Sequence, residues 1–124
     1  MSVRPDHLFV YGTLLPGEAR WACLEPFVEG PGPQDSTIGT LYDTGAGYPA
    51  FRRTGHRTVT GMTFALRADV LDRALDILDA VEGAVDGLYR RVRVMTGRGV
   101  DAWVYEYGGG LTLTPIPGGS WLTR

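Results

Sequence analysis

Lysine is missing from this 124-residue chain: its twelve basic residues are all arginine, set against fourteen acidic ones for a formal charge of −2. We read that gap as a bias of composition, with no chemistry attached. A basic surface of the kind that tracks phosphates is missing too. The densest cluster, Arg90-Arg91-Val92-Arg93, falls on a predicted strand, where alternation splits the arginines between two faces, so no nucleic-acid partner is expected. Cys23 stands alone. A single cysteine excludes an internal disulfide and a cysteine-based zinc site, and it fits a reducing compartment. No apolar run approaches the roughly 20 residues of a membrane helix, and no signal-peptide pattern precedes Val3-Arg4-Pro5. A cytoplasmic location without a membrane partner is the expectation. His7 and His56 have no metal-ligand company and are expected at the surface, and no Ser/His/Asp constellation is visible.

What is present is ordinary in bulk: 44% hydrophobic and 21% charged residues, as in a soluble globular domain. One domain over residues 1–124 is predicted, with its core at about 7–107 and a Gly/Pro-rich tail over 108–124. Eighteen glycines and eight prolines point to many tight turns and a strand-rich architecture.

His7 to Tyr11 reads as a buried strand, and Gly12 to Gly17 as a turn. Glu18 to Phe27 reads as one short helix with Trp21, Leu24 and Phe27 inward, which places Cys23 in an apolar helix. Ser36 to Asp43 is a predicted strand, Tyr48 to Phe51 an edge or irregular one because of Pro49, Thr54-Gly55-His56 a turn, and Thr58 to Leu66 a strand whose Gly61 marks a bulge. Val70 to Val81 carries apolar residues at 71, 74, 75, 77, 78 and 81, the pattern of an amphipathic helix, with Asp69 as N-cap and Gly83 as left-handed C-terminal cap. A loop through Asp86-Gly87 follows. Tyr89 to Thr96 and Val100 to Tyr107 form a predicted hairpin around Gly97-Arg98-Gly99. Strands, one good helix, then strands again argue for an α+β domain with a curled, partly closed sheet.

Helical spacing singles out one residue. Leu71, Leu75, Leu78 and Glu82 step by four, three and four, so Glu82 continues the buried stripe, while Asp72, Arg73, Asp76 and Asp79 supply the solvated face. Burial and the negative end of the helix dipole would both raise the Glu82 pKa, which suits a proton carrier. A last-turn glutamate beside a capping glycine is also commonly just solvated, and spacing alone favours that plainer reading. Asp79 lies on another helix face, so the two are not a carboxylate pair. The second candidate is the turn after the first strand, whose backbone N–H groups can hold a carboxylate or an oxyanion. It lacks the lysine and the glycine spacing of a phosphate loop.

Taken together, Tyr11-Gly12-Thr13-Leu14, Tyr48-Pro49-Ala50, Glu82-Gly83, Tyr89 with Arg91, Val104-Tyr105 and Ile116-Pro117-Gly118-Gly119-Ser120-Trp121 resemble the gamma-glutamylcyclotransferase-like superfamily. The likeness is greatest to its gamma-glutamylamine cyclotransferase-like branch and runs from about Leu8 to Trp121. It selects the functional reading of Glu82. The resemblance implies a small mixed β-barrel with flanking helices and a pocket at one end. It also implies cyclisation of a gamma-glutamyl amide to 5-oxoproline with release of an amine. Glu82 would be the catalytic acid/base. Gly12, Thr13 and Leu14 would hold the substrate carboxylate or the oxyanion through their N–H groups. Tyr11, Tyr89 and Tyr105 would line the pocket and orient the glutamyl part through their hydroxyls. Packing alone also accounts for those three aromatics, and Arg91, Trp103 and Trp121 are expected to be structural.

No metal, nucleotide or organic cofactor is implied, and the implied partner is a small gamma-glutamyl molecule. Its distal part would meet loops 30–35 and 45–49 and the tail from Gly108. A non-catalytic binding domain on the same fold is the alternative, and the sequence does not speak to oligomeric state.

Overall fold

The computed structural model describes residues 4–83, 88–109 and 112–124; the predicted loop at Asp86-Gly87 lies outside them. His7–Val10 forms β1, and the four-residue helix α1 (Trp21–Leu24) is followed by a 3-10 turn, Glu25–Phe27, and β2 (Val28–Glu29). Then come β3 (Gln34–Asp43), β4 (Pro49–Leu66), α2 (Leu71–Val81), β5 (Tyr89–Met95), β6 (Asp101–Tyr107) and β7 (Thr114–Pro115). Among the described residues the strands make one sheet in the order β5-β6-β1-β4-β3-β7, with β2 added on β4. Every pairing is antiparallel except β1 with β6. The architecture is α+β, a mixed sheet curled into a half-barrel with two helices.

β1 is central, which explains its unbroken apolar run. Leu8 and Val10 pack into a cluster with Leu75 and Leu78 of α2, while Phe9 and Tyr11 enter a second cluster with Phe51, Val104 and Trp121. Successive side chains point to opposite faces of a strand, so a strand with core on both sides alternates nothing. The buried core continues into the Gly/Pro-rich tail. The Ile116 N–H donates to the Leu41 carbonyl at 2.8 Å, the Thr60 N–H donates to Gly119 at 2.9 Å, and Trp121 is 4% exposed.

Four local predictions are corrected. The helix expected over Glu18 to Phe27 is only α1 plus its 3-10 turn, because Pro26 has no N–H to continue an α-helical ladder. Asp69 does not cap α2. It lies inside a 3-10 turn, Ala68–Val70, and pairs with Arg67, leaving Val70 at the cap with no side-chain bond. The turn expected at Thr54-Gly55-His56 is a bulge inside one continuous strand. The β3–β4 register runs through Gly39↔Arg57, then resumes at Thr40↔Arg52. The looped-out backbone finds other partners: the Arg53 N–H donates to the buried Glu106 carboxylate at 2.9 Å, and Thr54 O accepts from Thr40 Oγ1 at 2.7 Å. Gly61, expected at a bulge, pairs in regular register with Asp35. Its requirement is space, since a Cβ there would collide with the Val10 carbonyl and lie 3.0 Å from the Phe9 ring.

The β5–β6 hairpin pairs in register from Tyr89↔Tyr107 to Met95↔Asp101. Thr96 N–H bonds Val100 O at 2.9 Å to close the three-residue loop, with Gly99 at φ +80°.

Candidate functional site

The site forms where β1 runs out. After Tyr11 the chain turns back on itself: Leu15 N–H donates to Gly12 O at 3.0 Å and Arg20 N–H to Thr13 O at 2.7 Å. Residue 12 has to be glycine for steric reasons. A Cβ there would stand 2.8 Å from Pro49 Cδ and closer still to Cγ. The backbone N–H groups of Gly12, Thr13 and Leu14 make no hydrogen bond among the described residues.

Opposite this turn stands the end of α2. Glu82 is the C-cap residue, its N–H still bonded to Leu78 O at 2.9 Å, and Gly83 follows at φ +71°. The helical stripe therefore delivers Glu82 inward, where it is 8% exposed. One cavity, with a volume of about 20 Å³, is lined by Tyr11, Gly12, Thr13, Leu14, Arg20, Tyr48, Pro49, Glu82, Tyr89 and Tyr105, with Phe9 and Val10 behind. All seven residues singled out in the sequence thus meet at one place. The volume is room for about one water molecule.

Arg20 is the residue the sequence reading missed. Its Nη1 donates to Glu82 Oε2 at 3.1 Å and to the Val81 carbonyl at 3.2 Å. No spacing rule could have found it, because 62 residues separate the partners, and in the structure Arg20 precedes α1 as its N-cap residue. Burial pushes the Glu82 pKa above the ordinary carboxylate value, and the charge and hydrogen bond of Arg20 oppose that push without cancelling it.

The three tyrosines line the cavity, yet their hydroxyl protons are committed to the protein. Tyr11 donates to the Tyr105 carbonyl at 2.6 Å, Tyr89 to the Pro49 carbonyl at 2.6 Å, and Tyr105 to Asp79 Oδ1 at 2.8 Å. Toward a ligand, their remaining capacity is as hydrogen-bond acceptors and as apolar walls. Burial raises the pKa of all three, for Tyr11 with further contributions from Tyr89 and Glu82. They are neutral phenols at physiological pH. Among the described residues, Glu82 is the one carboxylate lining the cavity and Arg20 the one cation.

Asp79, expected on the solvated face, is pinned to the hairpin. It accepts from Tyr105 and from Arg91, whose Nε lies 2.9 Å away and whose guanidinium stacks 4.3 Å above the Trp103 ring. Arg91 and Trp103 are thus structural and anchor the last turn of α2 against β5 and β6.

This combination of a β1 turn, a buried helix-end glutamate and tyrosine walls coincides with a family match. The family model for gamma-glutamyl cyclotransferase, AIG2-like, matches residues 8–123. The chain belongs to that family. Solved structures agree on the fold. An uncharacterized protein of Pyrococcus horikoshii superposes with a TM-score of 0.70 at 22% identity, covering 93% of this chain and 88% of that one. An AIG2-like protein of Mus musculus gives 0.67 at 22% identity, covering 84% and 78%. A protein specific to uropathogenic E. coli gives 0.71 at 19% identity, covering 98% and 95%. No curated protein sequence matches. Arg20, which lines the same cavity, lies outside the sequence motifs that carried the resemblance.

Proposed function

We propose that this protein is a 5-oxoproline-forming gamma-glutamyl cyclotransferase whose proton carrier is Glu82. The observation that carries this reading is a buried carboxylate, the one such group among the described lining residues, with its pKa raised by burial, in a cavity that also presents backbone donors. The substrate supplies its own nucleophile. Its α-ammonium gives a proton to Glu82, the freed amine attacks the γ-carbonyl carbon, and a C–N bond forms. The tetrahedral intermediate then expels the amide nitrogen. Two protons leave the attacking nitrogen in all, and both finish on the departing amine. Glu82 carries each in turn and ends as it began. Ring closure is intramolecular, so holding the folded conformer supplies much of the acceleration. N–H groups of the Gly12–Leu14 turn would face the developing oxyanion.

The partner is a small gamma-glutamyl amine or peptide. A cytoplasmic setting is part of the reading. No helix among the described residues is long and apolar enough to cross a membrane. The test is 5-oxoproline release from a panel of gamma-glutamyl amines, gamma-glutamyl amino acids and gamma-glutamyl-lysine, with Glu82→Gln alongside. Release by wild type, lowered about 10²- to 10⁴-fold in the variant, is expected. Equal release by both would remove Glu82 as the base, and silence from wild type would leave a binding domain.

A further inference from the structure

The Arg20–Glu82 pair is more than a neutralised buried carboxylate. We infer that Arg20 is the recognition residue for the substrate's α-carboxylate, and that substrate enters by exchanging the Arg20–Glu82 ion pair for two ion pairs of its own. The inference rests on the cyclotransferase reading and names the substrate class of the same cavity: γ-amides whose α-carboxylate is free.

Four observations carry it. The reacting end of a gamma-glutamyl amide bears an ammonium and a carboxylate on one carbon, so its site needs one anion and one cation close together. The cavity offers such a couple 3.1 Å apart, with no other charged side chain among its described lining residues. The two partners also differ in freedom. The Glu82 side chain is 10% exposed and sits at the end of a helix, whereas that of Arg20 is 40% exposed and reaches in from outside. The Arg20 guanidinium can therefore be hydrated when it leaves the pair, whereas Glu82 needs a new partner inside the cavity.

The third observation is size. A cavity of about 20 Å³, with Arg20 in its wall, does not admit a glutamyl head until its lining moves. The fourth is the tether from Arg20 N–H to Thr13 O at 2.7 Å. It fixes the Arg20 backbone beside the turn at Gly12 to Leu14, so the side chain pivots from next to that turn.

The exchange conserves charge. A neutral pair opens, a neutral zwitterionic head enters, and each buried charge has a partner before and after. A planar guanidinium suits a carboxylate through two parallel hydrogen bonds. With the carboxylate on Arg20, the N–H groups of Gly12 to Leu14 are left for the γ-carbonyl oxygen. Glu82, relieved of Arg20, becomes a better proton acceptor at the moment it faces the ammonium.

The experiment compares the product 5-oxoproline with 2-pyrrolidinone, the same lactam without its carboxylate. Each is titrated into wild type, Arg20→Gln, Arg20→Lys and Glu82→Gln by NMR or calorimetry. Glu82→Gln, in which Arg20 has no carboxylate to leave, is expected to prefer 5-oxoproline by about 10- to 100-fold, the range for a charged hydrogen-bonded pair, and wild type by less, because the product brings no ammonium to Glu82. Arg20→Gln should lose that preference and Arg20→Lys retain part of it.

Equal affinity in a folded Glu82→Gln, where no carboxylate competes for Arg20, overturns the inference. A preference undiminished in a folded Arg20→Gln overturns it as well, since the backbone turn would then be holding the carboxylate. Turnover separates the two readings. Loss of the preference in Arg20→Gln with no 5-oxoproline release from the panel would leave Arg20 in place and remove the catalytic proposal. Release with the preference intact in Arg20→Gln would do the reverse.

Discussion

Replacing Gly12 by alanine tests the construction of the site wall with a single methyl group. The backbone at Gly12 lies outside the left-handed region, so alanine meets no φ penalty there. The cost is contact alone. The new Cβ would lie 2.8 Å from Pro49 Cδ and nearer still to Cγ, where carbon atoms ordinarily sit about 3.5–4.0 Å apart. The ring cannot rotate away, because it is closed on its own backbone. That backbone is tied down by pairing with Asp43 and by the Tyr89 hydroxyl on the Pro49 carbonyl at 2.6 Å. Overpacking of this kind costs about 1–3 kcal/mol, offset by about 0.4–1 kcal/mol because alanine restrains the unfolded chain.

A net loss of about 1–2 kcal/mol is therefore expected in urea unfolding, with an unchanged slope. Gly118→Ala is the control. Nothing lies within 4 Å of its Cβ position and its φ is unremarkable, so it should be neutral or slightly stabilising. Combining Gly12→Ala with Pro49→Ala should recover most of the loss, since the colliding atoms are gone. If Gly12→Ala matches wild type within about 0.5 kcal/mol, the turn and Pro49 do not form a rigid wall.

Two further outcomes follow from burial. The Glu82 pKa is raised in the folded state above its ordinary value of 4.5, so its stabilising contribution is full below the unfolded pKa and is lost as pH rises through the folded one. Unfolding free energies across pH 4 to 8 should therefore show wild type losing ground to Glu82→Gln, by about 1.4 kcal/mol for each pH unit that separates the unfolded from the folded pKa. A difference of the opposite slope would mean that Arg20 outweighs burial. Trp121→Ala should cost about 3–5 kcal/mol, because the ring is 4% exposed within the cluster around Phe51 and Val104. A loss below about 1 kcal/mol on thermal or urea unfolding would show that the tail is not part of the core.

Local periodicity determined a good deal by itself. The two-sided apolar run of β1, the stripe of α2 that ends on Glu82, the left-handed Gly83 and the β5–β6 hairpin all depend on neighbours within a few residues, and each was legible. The approach to Glu82 was legible for the same reason: steps of four, three and four are a property of one helix. What tertiary structure decided was every feature that needs two distant segments. Arg20 faces Glu82 only because the turn after β1 folds back over the end of α2. Asp79 left the solvated face because β5 and β6 brought Arg91 and Tyr105 to it. The bulge in β4 exists because Glu106, from another strand, satisfies the amide it strands. A hydrogen bond or ion pair between residues 53 to 62 positions apart leaves no periodic trace, since either partner reads locally as an ordinary polar side chain. Local sequence set where the carboxylate points, and the fold alone set which cation it meets there.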